Sequence, residues 1–270
     1  MELFFRKYGE PAPPLVIVHG LYGSADNWVS IARDLIDRFE VYVVDQRNHG
    51  HSPHSPLHDY PAMREDLREF LDSQDIRKAV LIGHSMGGKT VMNFSEAWPE
   101  RVQALVSVDM APKSYPELAL VSRTAANHSN MVEAMMKLDL SKIQSREEAD
   151  RALASSIGSQ RIRSFLLKNM QRESGGAFGW RINLEAISSN LEAIFEGMDR
   201  EAIKARGGIT GFPALFISGG ESDYIRISDH QLIRDIFPTA EVLTIPGTGH
   251  WVHAEKPDLL VKTLRYFLDI

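Results

Sequence analysis

Four short apolar segments recur along the first 110 residues, and each ends in a small or polar residue: LVIVHG (15–20), VYVVD (41–45), AVLIGHS (79–85) and ALVSVD (104–109). Continuous runs of valine, isoleucine and leucine of this length are typical of parallel strands buried on both faces. The stretches between them carry apolar residues at three- and four-residue spacing, as amphipathic helices do. This alternation predicts an α/β fold with a mostly parallel sheet flanked by helices. LFFRKY (3–8) predicts an edge strand ahead of it.

The pattern changes between residues 112 and 211, where the spacing predicts helices and no strand. Segments such as MVEAMMKLDL and SQRIRSFLLKNM have helical periodicity. Strand-like runs resume at PALFISGG (213–220) and EVLTIPG (241–247), and a last helix follows. We therefore expect a core domain made of residues 1–111 and 212–270, with residues 112–211 inserted as a helical cap.

Composition narrows the classes of function. The formal net charge is −6, so the clustered basic excess that a nucleic-acid partner requires is not expected. Cysteine is absent, which excludes disulfides, thiolate metal sites and a cysteine nucleophile. The first residues lack a secretory apolar region, and no later stretch approaches membrane-spanning length. These features predict a cytoplasmic protein with no membrane span, and they carry no signal of oligomeric state.

The segment GHSMGGKT, residues 83–90, fits two motifs. Gly83 to Gly87 form G-x-S-x-G, the turn that presents a nucleophilic serine, here Ser85. The whole segment also matches the loop that wraps a nucleotide phosphate, with Lys89 on the phosphate. Both motifs need a strand before and a helix after them. The phosphate loop leaves the central serine and the polar residues at other strand ends without a role, which favours the serine nucleophile.

A serine nucleophile at neutral pH needs a base and an oxyanion site. GTGHW places His250 in a glycine-rich loop after the last predicted strand, where an imidazole can reach Ser85. HGLYG (19–23) follows an early strand and leaves the N–H of Leu21 free for an oxyanion. The N–H of Met86, directly after the nucleophile, is the natural second donor. In this order along a parallel sheet, the three signals predict a serine hydrolase.

Segments along nearly the whole chain resemble the α/β-hydrolase fold superfamily, and most closely the bacterial YbfF-like esterases: VIVHGLYGSADNW, VVDQRNHGHSPHS, LIGHSMGGKTVMNFSEAWPERV, LVSVDMAP, ALFISGGESDY and IPGTGHWVHAEKP. The resemblance implies a hydrolase that cleaves small-molecule carboxylic esters or thioesters through a Ser-His-Asp triad and an acyl-enzyme, with no cofactor and no metal. Ser85 is then the nucleophile, His250 the base, and Leu21 and Met86 the oxyanion amides. The cap falls between strands six and seven.

The acid of the triad has two candidates. Many α/β-hydrolases carry it after the seventh strand, where GGESDY contains Asp223. The YbfF-like esterases carry it after the sixth strand, where SVDMAP contains Asp109. The closer resemblance favours Asp109, whose strand is also predicted to lie beside the strand of Ser85. Asp223 remains the rival acid.

Three further side chains are candidates for contacting substrate. His19 and His84 flank the proposed donors, and each either orients substrate or packs at a strand end. Trp180 either lines the cap side of the cleft or belongs to the core. The segment NHGHSPHSPLH contains four histidines, His49, His51, His54 and His58, which suggest a metal site. No carboxylate or cysteine completes a ligand set, so no metal site is predicted.

Two other classes of function share these features. One is a different chemistry on the same serine and histidine, such as carbon–carbon bond hydrolysis or cofactor-free perhydrolysis. The other is a non-catalytic receptor for a small molecule on a hydrolase scaffold. An intact set of catalytic residues favours an enzyme over the receptor.

Overall fold

A seven-stranded sheet forms the centre of the protein in a computed structural model, which describes residues 1–115 and 128–269. In chain order the strands are Phe5–Tyr8 (β1), Pro14–Val18 (β2), Glu40–Val44 (β3), Ala79–His84 (β4), Val102–Val108 (β5), Met170–Arg172 (β6), Phe178–Trp180 (β7), Ala214–Gly219 (β8) and Ala240–Ile245 (β9). The order in the sheet is β1-β3-β2-β4-β5-β8-β9, and only β1 runs antiparallel to its neighbour. The strands β6 and β7 form a separate hairpin.

Helices cover both faces of the sheet, as predicted. They are Val29–Arg33 (α1), Tyr60–Ser73 (α2), Met86–Ala97 (α3), His128–Lys137 (α4), Arg146–Leu153 (α5), Gln160–Leu166 (α6), Leu184–Ser189 (α7), Leu191–Phe195 (α8), Arg200–Ala205 (α9), His230–Ile236 (α10), Val252–Glu255 (α11) and Pro257–Phe267 (α12). Helix α2 begins where the sequence signals it, since Asp59 accepts a hydrogen bond from the N–H of Ala62 at 2.8 Å. Helix α1 is shorter than its apolar spacing predicts.

The central strands are buried because their side chains alternate between two hydrophobic clusters. Leu15 and Ile17 of β2 belong to the cluster that also contains residues of α1 and α12. Val16 and Val18 belong to the cluster that contains residues of α2, α3 and the helices after β5. A strand with both faces covered has no polar side, so it appears in the sequence as an unbroken apolar run.

The segment between β5 and β8 departs from the prediction in two ways. It contains the hairpin of β6 and β7, so the prediction that it has no strand is wrong. Each hairpin strand has three residues, which is too short to show a period in the sequence. Counted along this sheet, the insert separates the fifth strand from the sixth, rather than six from seven. Residues 116–127 of the predicted cap lie outside the described residues.

The loop after β3 is fixed by buried polar contacts. Asp45 accepts hydrogen bonds from the N–H groups of Ala25 at 2.6 Å and His51 at 2.8 Å. Arg47 donates two hydrogen bonds to Asp66 of α2, at 2.6 and 2.9 Å. The side chains of this ion pair are only 8% and 3% exposed. A bidentate pair at this depth holds the loop against helix α2.

We expect the substitution Arg47→Leu to lower the free energy of unfolding by about 3 kcal/mol, because Asp66 would stay buried without its guanidinium. Urea denaturation followed by circular dichroism measures this loss. The matched control is Arg68→Leu on the outer side of the same helix, where Arg68 contacts Glu65 and Asp72 at the surface. It should leave the denaturation midpoint nearly unchanged, because exposed pairs stabilise little. Equal losses in the two variants would contradict the expectation.

Candidate active site

Ser85 stands at the turn between β4 and α3 with φ 53° and ψ −122°. A non-glycine residue with a positive φ of this size is strained, so its surroundings must hold it. Its N–H donates to the carbonyl of Val108 at 3.1 Å. Both flanking glycines are required, because a Cβ at Gly83 would lie 2.2 Å from the carbonyl oxygen of Gly87, and one at Gly87 would lie 2.2 Å from that of Val18. The turn therefore presents the serine hydroxyl at the carboxyl end of the sheet.

His250 lies in the loop between β9 and α11. Its Nε2 is 2.9 Å from Ser85 Oγ, and its Nδ1 is 2.8 Å from Asp109 Oδ2. The loop is anchored by Glu255, which accepts a hydrogen bond from the N–H of Gly249 at 2.9 Å. The structure thus brings a hydroxyl, an imidazole and a carboxylate into one hydrogen-bonded chain.

Asp109 is fully buried at the end of β5 and has a φ of 50°. Besides His250, its carboxylate accepts hydrogen bonds from the N–H of Gly219 at 3.0 Å and from the hydroxyl of Ser222. Three donors satisfy a carboxylate that has no access to water. Sequence reasoning did not identify Ser222, whose only signal is a hydroxyl close after the glycine pair of GGES.

Asp223, the rival acid, occupies a different environment. Its side chain is 53% exposed, and its Oδ1 lies 3.4 Å from Nε of Arg226. The carboxylate next to the Nδ1 atom of His250 is therefore that of Asp109.

The predicted oxyanion amides belong to two segments that both reach Ser85. The carbonyl of Gly20 accepts the N–H of Gly23 at 2.9 Å, which closes a turn around Leu21. A Cβ at Gly20 would lie 2.9 Å from Cβ of Ser85, so this turn packs directly against the serine. Met86 opens α3, where N–H groups have no partner in the preceding turn. Within the described ranges, no loop or turn hydrogen bond uses the amide of Leu21 or that of Met86.

His19 and His84 are buried and pack at strand ends, which is one of the two roles that the sequence left open for them. His19 is fully buried, donates from Nδ1 to the carbonyl of Gly20 at 2.8 Å and accepts at Nε2 from the N–H of Gln46 at 3.0 Å. Nε2 of His84 donates to the carbonyl of His250 at 2.9 Å. Burial lowers the pKa of both imidazoles, so both are neutral at neutral pH.

A cavity of about 240 Å³ adjoins His250 beneath α4. Met131 of α4 lines it, so the methionine-rich helix contributes to the cavity wall. Trp180 instead donates its indole N–H to the carbonyl of Met135 at 3.2 Å. In the part of the chain that the structure describes, no hydrogen bond or ring contact joins Trp180 to Ser85 or His250. The remaining lining residues are His128, Arg161, Glu221, Ser222, Asp223, Tyr224, Gly249, Trp251 and Glu255.

Lys89 is enclosed, which argues against a phosphate loop. It is 1% exposed, and its Nζ donates to the carbonyl of Glu196. The same Nζ lies 4.9 Å from the ring centre of Tyr115 and 5.5 Å from that of Tyr60. Desolvation by burial lowers the pKa of Lys89 to about 7. An amine held by carbonyls and aromatic rings in this way is not available to a nucleotide phosphate.

In the histidine-rich loop, a histidine side chain forms hydrogen bonds with the backbone. His49 donates from Nδ1 to the carbonyl of Arg47 at 2.9 Å and accepts at Nε2 from the N–H of Tyr22 at 3.2 Å. Among residues 1–115 and 128–269, no group of three or more metal-ligating side chains is arranged to hold an ion. None of the described helices has the length and hydropathy needed to cross a membrane.

The family described as alpha/beta hydrolase fold matches residues 13–257. The chain belongs to the alpha/beta hydrolase family. A marine microorganism esterase of known structure superimposes on this alpha/beta hydrolase with a TM-score of 0.91, at 44% identity and over 98% of this chain and 99% of that one. The predicted fold class is therefore confirmed.

Two curated relatives of this alpha/beta hydrolase are named as enzymes. It is 37% identical over 256 residues to the protein named esterase YbfF of Escherichia coli, covering 95% of this chain and 93% of that relative. It is 39% identical over 264 residues to the Mus musculus protein named sn-1-specific diacylglycerol lipase ABHD11, covering 95% of this chain and 81% of that relative. With an esterase as structural neighbour as well, the resemblance to YbfF-like esterases is confirmed, and the chain is a hydrolase.

We expect Gly87→Ala to lower the free energy of unfolding by about 3 kcal/mol or more, because the new methyl group would overlap the backbone of β2. The control is Gly158→Ala, where an added Cβ meets no atom within 4 Å. That variant should change stability by no more than about 0.5 kcal/mol. Urea denaturation of both proteins makes the comparison, and a stable Gly87→Ala protein would contradict the tight approach of α3 to β2.

Proposed function

We propose that this hydrolase cleaves carboxylic esters or thioesters of small molecules through a Ser85–His250–Asp109 triad and an acyl-enzyme intermediate. The observation that supports it most is the unbroken chain of contacts from Ser85 Oγ to His250 at 2.9 Å and from His250 to Asp109 at 2.8 Å. In this geometry, the imidazole can take the serine proton while the carboxylate holds the ring in one tautomer.

Acylation begins when His250 Nε2 accepts the proton of Ser85 Oγ and the oxygen attacks the acyl carbon. The π electrons of the carbonyl move to its oxygen, and the resulting oxyanion is bound by the N–H groups of Leu21 and Met86. The positive end of the α3 dipole adds to this stabilisation. When the intermediate collapses, the bond to the leaving group breaks, and the leaving alcohol or thiol takes the proton from His250.

Deacylation repeats these steps with water. His250 accepts a proton from the water molecule, the hydroxide oxygen attacks the acyl carbon, and Ser85 leaves with the proton returned by Nε2. In both half-reactions the imidazole becomes positively charged in the transition state. Asp109 stabilises that charge without taking the proton itself, because its own oxygens are occupied by Gly219, Ser222 and His250.

Residues 112–211 act in this proposal as a cap over a core made of residues 1–111 and 212–270. Helix α4 supports this division, since Met131 and His128 line the same cavity as His250. The apolar side chain of Met131 suits an acyl or alkyl group, and methionine adapts its shape to different chains. The cap therefore determines which chain lengths fit next to Ser85.

The charges around this cavity favour neutral substrates. Its described lining includes three carboxylates, Glu221, Asp223 and Glu255, and one guanidinium, Arg161. Arg161 is already paired with Glu255 at 2.8 Å, so the lining offers no excess of positive charge to a phosphate. Without such an excess, neutral esters fit better than polyanionic thioesters such as acyl-CoA.

The substitution Ser85→Ala tests the proposal directly. We expect kcat/KM for p-nitrophenyl butyrate to fall by about 10⁴-fold or more, because the members of a triad act as a unit. The melting temperature should stay close to that of the wild type or rise, since alanine removes no core contact. The control is Ser30→Ala, an exposed serine in α1. An active Ser85→Ala enzyme, or a wild type that turns over no ester at all, would overturn the proposal.

The second test concerns the acid. We expect Asp109→Asn to lower kcat by roughly 10³- to 10⁴-fold, because an amide at this position favours the wrong imidazole tautomer. Asp223→Asn is the matched control, because it makes the same change at the exposed carboxylate of the rival acid. It should lower kcat by about 10-fold or less. Steady-state kinetics with p-nitrophenyl acetate measure kcat for both variants, and a larger loss in Asp223→Asn would reverse the assignment.

A further inference from the structure

Tyr224 lies flat on the imidazole of His250. The two ring centres are 3.7 Å apart, and the planes are inclined by 15°. Tyr224 follows β8 and is buried, with 6% of its surface exposed. Sequence reasoning assigned it no role. Its ring is in closer contact with His250 than any other aromatic ring of the described residues, since His84 lies 4.8 Å and Trp251 6.1 Å away between ring centres.

The backbone of Tyr224 is held by neighbours on both sides. The hydroxyl of Tyr115 donates to the carbonyl of Tyr224 at 2.7 Å. The N–H of Tyr224 donates to Ser222 Oγ at 3.3 Å, and that hydroxyl in turn donates to Asp109. One short loop therefore provides a hydrogen bond to the acid and a ring on the face of the base.

We propose that Tyr224 is a positioning residue for His250, which keeps the imidazole aligned between Ser85 and Asp109 and stabilises its protonated form through the face of the phenol ring. This inference rests on the proposed function, in which His250 is the base. An imidazole with hydrogen bonds at both nitrogens can still tilt about the line that joins them. A ring stacked at van der Waals distance removes that freedom.

The stack also acts on the charge that forms during catalysis. The face of an aromatic ring attracts a cation, so the imidazolium of the transition state is stabilised more than the neutral imidazole of the ground state. Such a difference lowers the barrier, because only stabilisation specific to the transition state accelerates the reaction. Contacts of this kind correspond to about a 5- to 20-fold effect on rate.

The ring, rather than the hydroxyl, carries the proposed effect. Oη of Tyr224 lies 3.4 Å from Nε2 of His128 in α4, which is long for a hydrogen bond. Burial lowers the pKa of His128 to about 3, so its imidazole is neutral. The hydroxyl of Tyr224 therefore has no charged partner in His128. Phenylalanine at position 224 should therefore replace tyrosine with little loss.

Substitutions at position 224 leave the other titratable groups near His250 in place. Asp109 contacts its Nδ1, and His84 and His253 lie behind the loop as buried imidazoles whose pKa values are lowered by burial. The other titratable groups that line the cavity next to His250 are His128, Arg161, Glu221, Asp223 and Glu255.

The experiment compares Tyr224→Leu, which removes the ring, with Tyr224→Phe, which keeps it. The readouts are kcat/KM for p-nitrophenyl butyrate between about pH 5 and 9 and the rate at which a fluorophosphonate probe labels Ser85. Tyr224→Leu should lower both rates by about 5- to 20-fold at the optimum. It should also move the acid limb of both profiles to lower pH by about half a unit to one unit, because the protonated imidazole loses its aromatic partner. Tyr224→Phe should match the wild type within about twofold.

Tyr60→Leu is the matched control for loss of a buried tyrosine ring. Tyr60 is 5% exposed and donates to the carbonyl of Ile194 at 2.7 Å, but its ring does not stack on His250. The Tyr60→Leu protein should have a lower melting temperature and keep the wild-type pH profile. Tyr224→Met removes the ring in the same way and replaces the leucine variant if that protein does not fold.

The outcomes separate this inference from the proposed function. Wild-type rates and an unshifted acid limb in Tyr224→Leu would overturn the role of Tyr224, while the loss of activity in Ser85→Ala would stand. A shift of the acid limb to higher pH, or an equal shift in Tyr60→Leu, would also overturn it. If Ser85→Ala kept its activity, the proposed function itself would fail, whatever the tyrosine variants did.

Discussion

The pairing of β4 with β5 at the centre of the sheet is the constraint on which the site depends. Parallel strands end at the same edge, so the residues that follow them, Ser85 and Asp109, are brought to adjacent positions. The N–H of Ser85 even donates across this edge to Val108, the last residue of β5. Both residues have positive φ values, of 53° and 50°, and each turns away from its strand at the point where the ladder ends. A sheet buried on both faces can hold this strain, because neither strand can shift without exposing its side chains.

Much of the sheet and part of the site could be predicted from the sequence for the same reason. Strands buried on both faces are continuous apolar runs in the sequence. The polar residues that directly follow each run mark the strand ends. Ser85 and His250 follow from this pattern together with the glycines around them. The choice between Asp109 and Asp223 was different, since both follow strands, and only the three-dimensional structure shows which carboxylate lies against the imidazole.

The features that the sequence did not reveal lie in short elements and in loops. The strands β6 and β7 have three residues each and pair only with one another, so no period marks them. Ser222 and Tyr224 lie in a loop whose residues have no spacing rule. Their contacts depend on how the carbonyl of Gly219 and the hydroxyl of Tyr115 hold the loop backbone. The sequence around Lys89 matches a phosphate loop, and nothing near it in the chain indicates its actual partners. These are the carbonyl of Glu196 and the rings of Tyr60 and Tyr115, which are distant in the sequence.

The loop after β8 shows what a buried carboxylate at Asp109 requires of its surroundings. A carboxylate at Asp109 starts one strand closer to Ser85 than one at Asp223, and it is enclosed by the sheet rather than exposed at the surface. An enclosed carboxylate needs donors, and the loop provides them through Gly219 and Ser222. Two residues after Ser222 in the same loop, the buried ring of Tyr224 covers the face of the imidazole. The loop after β8 therefore supports both sides of the Asp109–His250 contact: it donates hydrogen bonds to the carboxylate and places an aromatic ring against the imidazole.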